Sequence, residues 1–568
     1  IALARQAGDV VSRDDLVGAC WGERVVSEDA LQRAVAKTRK LGDDTGAFAI
    51  KTVRGIGYRL LSSGVTEEVP SSEPLLAVLA FENFSTDPDM AFFADAIADE
   101  ILQTVARGTK IAVISRASSF QFRGKDKAIS NVAAELAATH VLDGTVRRHG
   151  ARVRIGVELI DVKSARPIWQ GNYERNAPDF LALQEEIAAS VASALGRTFS
   201  SVPSRTIDAE TYERFLRVRE MSLGTAEFGE DAIEAADGIT RAAPDFAPGW
   251  VIASIARATN RIFSSPRDRP DRLLAEALAA AEHAHALDPE GADTLLALGH
   301  LEPACGCWAA REDYFRRAIA AEGGADAMTA LATHLTCVGR LREGLGVAQS
   351  AHALNPLHPM ASFAYGEALA NVRQFDAMIR MHQATLRRWP GQTPALNRIL
   401  STAAGQERWD VVDELNSPEM FARNRMDSRV LADLTFYLSL QRDPTAEARA
   451  RLMASLQNEI RSHGRVNFRT LSFAALHCDL DEVFELVAQS SFTDLFTPEG
   501  IVDRGPTFQP LFNASGTTLR SDRRFVHLCA RLGLVTYWLE RGVWPDCADE
   551  SPYDFRMLAR EFYGCQCA

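Results

Sequence analysis

The chain has 568 residues, 46% of them apolar and 24% charged, ordinary proportions for a globular protein that exclude a mainly disordered or collagen-like chain. Its net charge of -13 makes the surface as a whole repel nucleic acid and anionic membranes, so any DNA contact must come from a local basic region. Nine scattered cysteines form no disulfide framework and point to a reducing compartment, and no apolar run approaches the ~20 residues of a membrane helix.

The chain opens on Ile1 in helix-like sequence without a signal-peptide pattern, as a fragment or a trimmed chain would. Ser12 is expected to begin a helix, with Asp15 completing a capping-box-like pair and Val11 and Leu16 forming a hydrophobic staple. Ser27 begins a second helix with Val26 and Leu31 as its staple, and Glu28 and Asp29 suit the dipole of its first turn. Two capped helices on a short connection make a helix-turn-helix candidate. At 100° per residue, Leu31, Ala34, Val35, Thr38 and Leu41 share one face of the second helix. Arg33, Ala36, Lys37 and Lys40 share the other, with Gln32 and Arg39 on the flanks. Arginine and lysine in that position can pair with phosphates and reach guanine edges in a major groove, although many solvated helix faces carry similar charge.

Phe48-Ala-Ile-Lys-Thr-Val-Arg-Gly-Ile-Gly-Tyr-Arg-Leu60 reads as strand, tight glycine turn and strand, with Arg54 at the tip, where it can enter a minor groove. From Leu31 to Leu60 seven basic residues stand against two acidic ones, a net of +5 on a chain that is acidic overall. Residues 1–61 resemble the OmpR/PhoB-type winged-helix output domain, in which Thr-Val-Arg-Gly-x-Gly-Tyr is a specific signature. The match lacks that family's N-terminal strands and part of its first helix. The resemblance implies that Ser27–Leu41 is the recognition helix, that Arg33, Lys37, Arg39 and Lys40 face DNA, and that Thr52, Arg54 and Tyr58 are wing contacts.

Residues 62–74 hold two prolines and four serines and read as an exposed linker. Beyond them strand-like and helix-like patterns alternate, as in an α/β domain. Strands are expected at Leu75–Phe81, Lys110–Ser115, Val141–Arg148, Ala151–Val162 and Ala165–Tyr173, and helices at Asp95–Arg107, Asn131–Thr139 and Leu181–Leu195. In Ala151–Val162, Val153, Ile155, Val157 and Leu159 alternate with Arg152, Arg154 and Glu158, so one face is buried. The pieces Ala77-Val-Leu-Ala-Phe-Glu-Asn-Phe-Ser-Thr-Asp-Pro88, Ile114-Ser-Arg-Ala-Ser-Ser-Phe120, Val141-Leu-Asp-Gly-Thr-Val146, Ile168-Trp169 and Leu183-Gln-Glu-Glu-Ile187 resemble the TolB-like amino-terminal domain of multidomain bacterial regulators. That resemblance covers 75–198, departs at Ala80 and Ala96, and implies a scaffold or sensor. Ser115, Arg116, Ser118 and Ser119 invite an anion site beyond a strand end, but loop hydrogen bonding is the favoured reading. Arg147, Arg148, Arg152 and Arg154 read as a solvated sheet face.

From 208 the texture is helical. Pro or Gly punctuation at Asp288-Pro289, Gly323-Gly324, Asn355-Pro356 and Trp389-Pro390 recurs at intervals of 34, 33 and 34 residues. That period fits a helix–turn–helix repeat of the tetratricopeptide type, with Trp308, Phe315 and Ile319 at helical spacing inside it. A loop insertion is expected around 264–270. The concave face of such a solenoid binds peptides in many proteins. Residues 519–546 look like the tail of regulators with this architecture, expected to cap the solenoid.

No phosphate loop, dinucleotide fingerprint, HExxH, GxSxG or kinase signature is present. Cys305-Gly-Cys307 with His300, and Cys565-Gln-Cys567 with Cys547, depart from structural zinc spacing. No catalytic, cofactor or metal site is expected, nor phosphorelay input. The fold class read from the sequence is multidomain: winged helix-turn-helix (1–61), linker (62–74), α/β TolB-like domain (75–198), all-α tetratricopeptide-like solenoid (208–540) and tail (541–568). The order resembles the CadC/HilA-type one-component regulators. It implies a cytoplasmic, non-enzymatic regulator that grips promoter double-stranded DNA, meets a protein partner through its repeats, self-associates as a homodimer and makes no membrane contact. The alternative is a repeat scaffold that binds a protein and no specific DNA. TolB-like and repeat modules also accompany nucleotide cyclases, but no cyclase catalytic domain is visible.

Overall fold

The computed structural model describes residues 10–12, 16, 28–45, 48–53, 57–62, 73–85, 89–149, 152–176, 180–199, 207, 209–223, 230–263, 270–303, 305–322, 324–496 and 508–566. The chain forms two compact units, Ile1–Pro74 and Leu75–Ala568.

In the first unit the helix α1 (Glu28–Thr45) carries Leu31 and Val35 on its buried side. It continues past the expected end at Leu41, because an interior glycine such as Gly42 costs only about 1 kcal/mol and does not by itself stop a helix. Strands β1 (Val10–Ser12), β2 (Phe48–Val53) and β3 (Gly57–Ser62) form an antiparallel sheet in the order β1-β3-β2. Ser12 therefore ends a strand, opposite Gly57. Of the helix expected after it, Leu16 is described, and it is buried. The β2–β3 hairpin keeps a strict register, Ile50 opposite Leu60, Lys51 opposite Arg59, Thr52 opposite Tyr58 and Val53 opposite Gly57.

The second unit begins with a mixed sheet of order β6-β4-β7-β8-β9. Its strands are β4 (Leu75–Val78), β5 (Glu82–Asn83), β6 (Ala112–Val113), β7 (His140–His149), β8 (Arg152–Asp161) and β9 (Arg166–Asn176). β4 runs parallel to β6 and β7, β5 adds a short parallel pair to β7, and β7, β8 and β9 form an antiparallel meander. Helices α2 (Asp89–Gly108) and α5 (Phe180–Ala194) cover one face. There Ile97, Ile101, Val105, Ile187 and Val191 meet Ile155, Val157 and Leu159 of the alternating strand. Gly144 suits β7: a Cβ there would sit 2.7 Å from the ring of Phe81, which is itself buried. The short α3 (Arg116–Ser119) and α4 (Ile129–Leu136) lie on the opposite side, where Val132, Leu136 and Val141 pack with Leu357 of the repeats.

Helices follow from Ala209 to Gln489. Three of the expected punctuation points fall between helices, at Leu287/Ala292, Leu354/Pro359 and Arg388/Thr393. Of the fourth, Gly324 precedes the helix Ala325–Cys337 and Gly323 lies outside the described residues. Trp308 and Phe315 are buried, as their spacing requires. Of the insertion expected around 264–270, residues 264–269 lie outside the described residues, and Pro270 begins the helix Pro270–Leu287. After Gly405 the repeat is interrupted by two short helices, Trp409–Leu415 and Pro418–Arg423, of seven and six residues, before the longer Ser428–Arg442 and Ala446–His463. The C-terminal segment from Phe508 folds back onto Trp308–Glu322 and Ala325–Cys337 and shares one core with them, through Phe508, Phe512, Tyr537, Trp538 and Phe555. Trp308 Nε1 donates to the Leu532 carbonyl at 2.8 Å, and Trp538 Nε1 to the Val338 carbonyl at 2.9 Å. Gly339 (φ +81°) allows this approach, since a Cβ would meet Pro545 at 2.6 Å and Phe512 at 2.8 Å.

Candidate nucleic-acid interface

The face of α1 opposite Leu31 and Val35 is exposed at Gln32, Arg33, Ala36 and Lys37. Arg33 and Lys37 stand one turn apart on it, where two cations can reach neighbouring phosphates or base edges. The acids of the helix are confined to its ends, Glu28 and Asp29 in the first turn and Asp43 and Asp44 in the last. The middle of the helix is therefore cationic.

The other expected contacts divide. Arg39 is half-buried and its Nε donates to the Ile50 carbonyl at 2.9 Å, so it ties the helix to the hairpin. Thr38 bonds back to the Ala34 carbonyl at 2.7 Å. Tyr58 is 5% exposed. Like Leu31, Val35 and Ile50 it is a buried residue of this unit, which corrects its expected place on the wing surface: a large, mostly apolar ring gains by leaving water. Thr52 is its cross-strand partner. The side chains of Lys40 and Thr52 lie outside the described atoms, and Arg54 lies outside the described residues.

The register adds what spacing alone did not single out. Lys51 and Arg59 are paired positions of the hairpin, and their side chains lie outside the described atoms.

The anion candidate of the second unit is used internally. The Ser115 and Ser118 hydroxyls both donate to Asn355 Oδ1, the latter at 2.7 Å, and Leu357 N–H donates to the Ser118 hydroxyl at 3.0 Å. The Ser119 hydroxyl reaches the Ile114 carbonyl at 3.5 Å. Arg116 lies 3.7 Å from Asp99, which is 2% exposed and also pairs with Arg219 of the first repeat helix. These groups bind the α/β layer to the repeats, the plainer of the two readings. Ala96, one of the departures from the TolB-like pattern, packs against the neighbouring Phe215 cluster. Arg147 and Arg154 are exposed and opposite one another, and Arg152 pairs with Glu174 at 3.4 Å.

At the expected non-metal cysteines, Cys305 is buried against Trp308, and burial pushes its thiol well above the ordinary value. His300 is exposed and its ring is tilted 58° to that of Phe315, with centroids 5.4 Å apart. Among the described residues no helix is long and apolar enough to cross a membrane.

Residues 1–60 match the family model described as "Transcriptional regulatory protein, C terminal". The chain is 31% identical over 229 residues to "Putative adenylate cyclase 3" of Rhizobium meliloti, covering 39% of this chain and 38% of that protein. It is 33% identical over 86 residues to the transcriptional regulator HilA of Salmonella typhimurium, covering 14% of this chain and 16% of HilA. The matches thus span about two fifths and about one sixth of those relatives. Among solved structures the chain is similar to YrrB, a TPR protein with an unusual peptide-binding site, at 20% identity and a TM-score of 0.26 over 36% of this chain and 98% of that one. It is also similar to TTC0263, a TPR protein of Thermus thermophilus, at 22% identity and a TM-score of 0.25 over 33% and 92% of the two chains. The N-terminal segment is a transcriptional-regulator domain of the OmpR/PhoB type.

Proposed function

We propose that the chain is a one-component transcriptional regulator that binds promoter DNA through α1 and the β2–β3 wing, while its α/β layer and helical repeats receive a signal or a partner. The observation that carries this reading is the sorting of α1. Leu31 and Val35 are buried, and Arg33 and Lys37 are exposed on the opposite face of one helix, within the residues that match the regulator family. A cationic helix face of this kind supplies phosphate contacts for affinity and guanidinium or ammonium donors for base edges. Because promoter DNA lies in the bacterial cytoplasm, that is where the proposal places the protein.

The resemblance of 75–198 to TolB-like domains supports a scaffold or sensor role for the α/β layer. The helical repeats support a protein partner, and self-association would match the symmetry of paired half-sites. The proposal contains no catalytic step. Replacing both Lys37 and Arg54 by alanine tests the contact assignment: affinity for the chain's own promoter DNA should fall, and the salt dependence of binding should flatten by about two phosphate contacts. Unchanged affinity and slope in that double variant would overturn it.

A further inference from the structure

A cleft of about 740 Å³ opens along the helices Pro359–Asn371, Thr393–Gly405, Ser428–Arg442 and Phe468–His477. The C-terminal segment supplies a further wall through residues 509–517. That wall is held by the Ser472 hydroxyl, which donates to the Pro510 carbonyl at 3.0 Å, and by Arg373, which donates to the Thr517 hydroxyl at 3.1 Å. The volume lies within the ~300–1,000 Å³ typical of small-molecule sites.

The charges that line the cleft are Arg373, Arg398, Arg469 and Glu367, a positive excess on a chain whose net charge is -13. Glu367 already serves Arg398, whose Nε lies 3.0 Å from its carboxylate, and the other arm of Arg398 donates to Asn371 Oδ1 at 3.2 Å. Arg469 reaches Asn397 Oδ1 at 3.5 Å, the far limit of a hydrogen bond. Its guanidinium stands 5.8 Å from the Phe473 ring, which stacks on Tyr437 with centroids 4.0 Å apart. Two guanidinium groups beside a stacked aromatic pair form a binding surface for a planar apolar body that carries a negative charge.

We propose that this cleft binds a small organic acid, its anionic group paired with Arg398 and Arg469 and its apolar body against Tyr437 and Phe473. The inference deepens the sensing role proposed for the repeats and rests on it. A ligand here would touch both the repeat helices and the C-terminal segment, so its binding would report on how the two are joined.

The test is a fluorescence titration of the full chain with 8-anilinonaphthalene-1-sulfonate, an aromatic anion, against the uncharged N-phenyl-1-naphthylamine. Two variants accompany it. Arg469→Gln removes one charge. Gly405→Trp fills the cleft from a lining position where an added Cβ meets nothing within 4 Å. The expected result is one saturable site for the anion, displaced by phenylacetate, weakened about tenfold in Arg469→Gln by loss of one charge-assisted bond and absent in Gly405→Trp, with unchanged melting temperatures. Equal binding of the uncharged probe, full binding in either variant, or displacement by a glutamate-rich peptide but not by phenylacetate would overturn the proposal. DNA affinity measured on the same samples separates the two readings. A chain that grips DNA but ignores the anion loses only this inference, and one that binds the anion but no DNA loses the regulator.

Discussion

Arg39 and Lys37 lie two positions apart on α1 and do different work. Lys37 is exposed, while Arg39 spends its Nε on the Ile50 carbonyl. Lys37→Ala should therefore lower DNA affinity and reduce the slope of log affinity against log salt by about one. Arg39→Met should instead cost the first unit about 1 kcal/mol of stability, the usual worth of one such hydrogen bond. Binding titrations and urea unfolding separate the two effects. Tyr58→Ala belongs with Arg39. It empties a core position and should cost ~3–5 kcal/mol, enough to unfold a domain this small. The inward Leu31 and Val35 and the outward Arg33, Ala36 and Lys37 of α1 were legible from a 100° wheel, because burial follows helical period. The fate of Arg39 was not, since its acceptor is a backbone carbonyl eleven residues away that only the folded hairpin brings near. Tyr58 was misplaced because a motif records which residue recurs and not which way its ring points.

Among elements, the repeats were the most legible: punctuation at a fixed interval marks turns whatever the tertiary contacts are. The seam between the α/β layer and the repeats was invisible in sequence, since Ser118 and Asn355 lie 237 positions apart. Asn355→Ala leaves two serine hydroxyls without their acceptor and should cost ~2 kcal/mol, seen as earlier protease cleavage between the α/β layer and the repeats. The C-terminal fold-back was read only as a cap, whereas it joins the repeats through a buried charge cluster. Glu312, 3% exposed, accepts the Tyr537 hydroxyl at 2.7 Å, Arg316 Nε at 2.8 Å and Arg340 Nη1 at 2.7 Å. Burial alone would raise the Glu312 pKa, but the bonds from Tyr537 and Arg316 and the Arg340 charge overcome it and hold the carboxyl at about 2. A folded value below the unfolded one means that this stabilisation is complete above pH ~4.5 and is lost as pH falls toward ~2. Tyr537→Phe should raise the Glu312 pKa and move that loss to higher pH, measurable as an acid-unfolding midpoint by near-ultraviolet circular dichroism.

At the scale of the whole molecule, the second unit buries a histidine that stays neutral. His334 is 3% exposed, and burial, with the charge of Arg311, lowers its pKa to about 3. The unfolded chain takes up this proton below pH ~6.5 and the folded chain does not, so stability should fall from there toward pH ~4.5, below which the loss from Glu312 adds to it. Calorimetric melts from pH ~7 to ~4.5 should show a falling Tm that His334→Phe flattens, and a flat profile in the unaltered chain would contradict the burial of this ring. The division of charge was legible early, with the basic excess confined to residues 31–60 of an acidic chain. The most direct test of the central claim is the binding of this chain to the DNA immediately upstream of its own coding sequence, against scrambled DNA, over a salt series. The account predicts a specific site with a steep salt slope that Arg33→Ala with Lys37→Ala reduces by about two. Weak binding that ignores sequence and does not respond to those substitutions would contradict it.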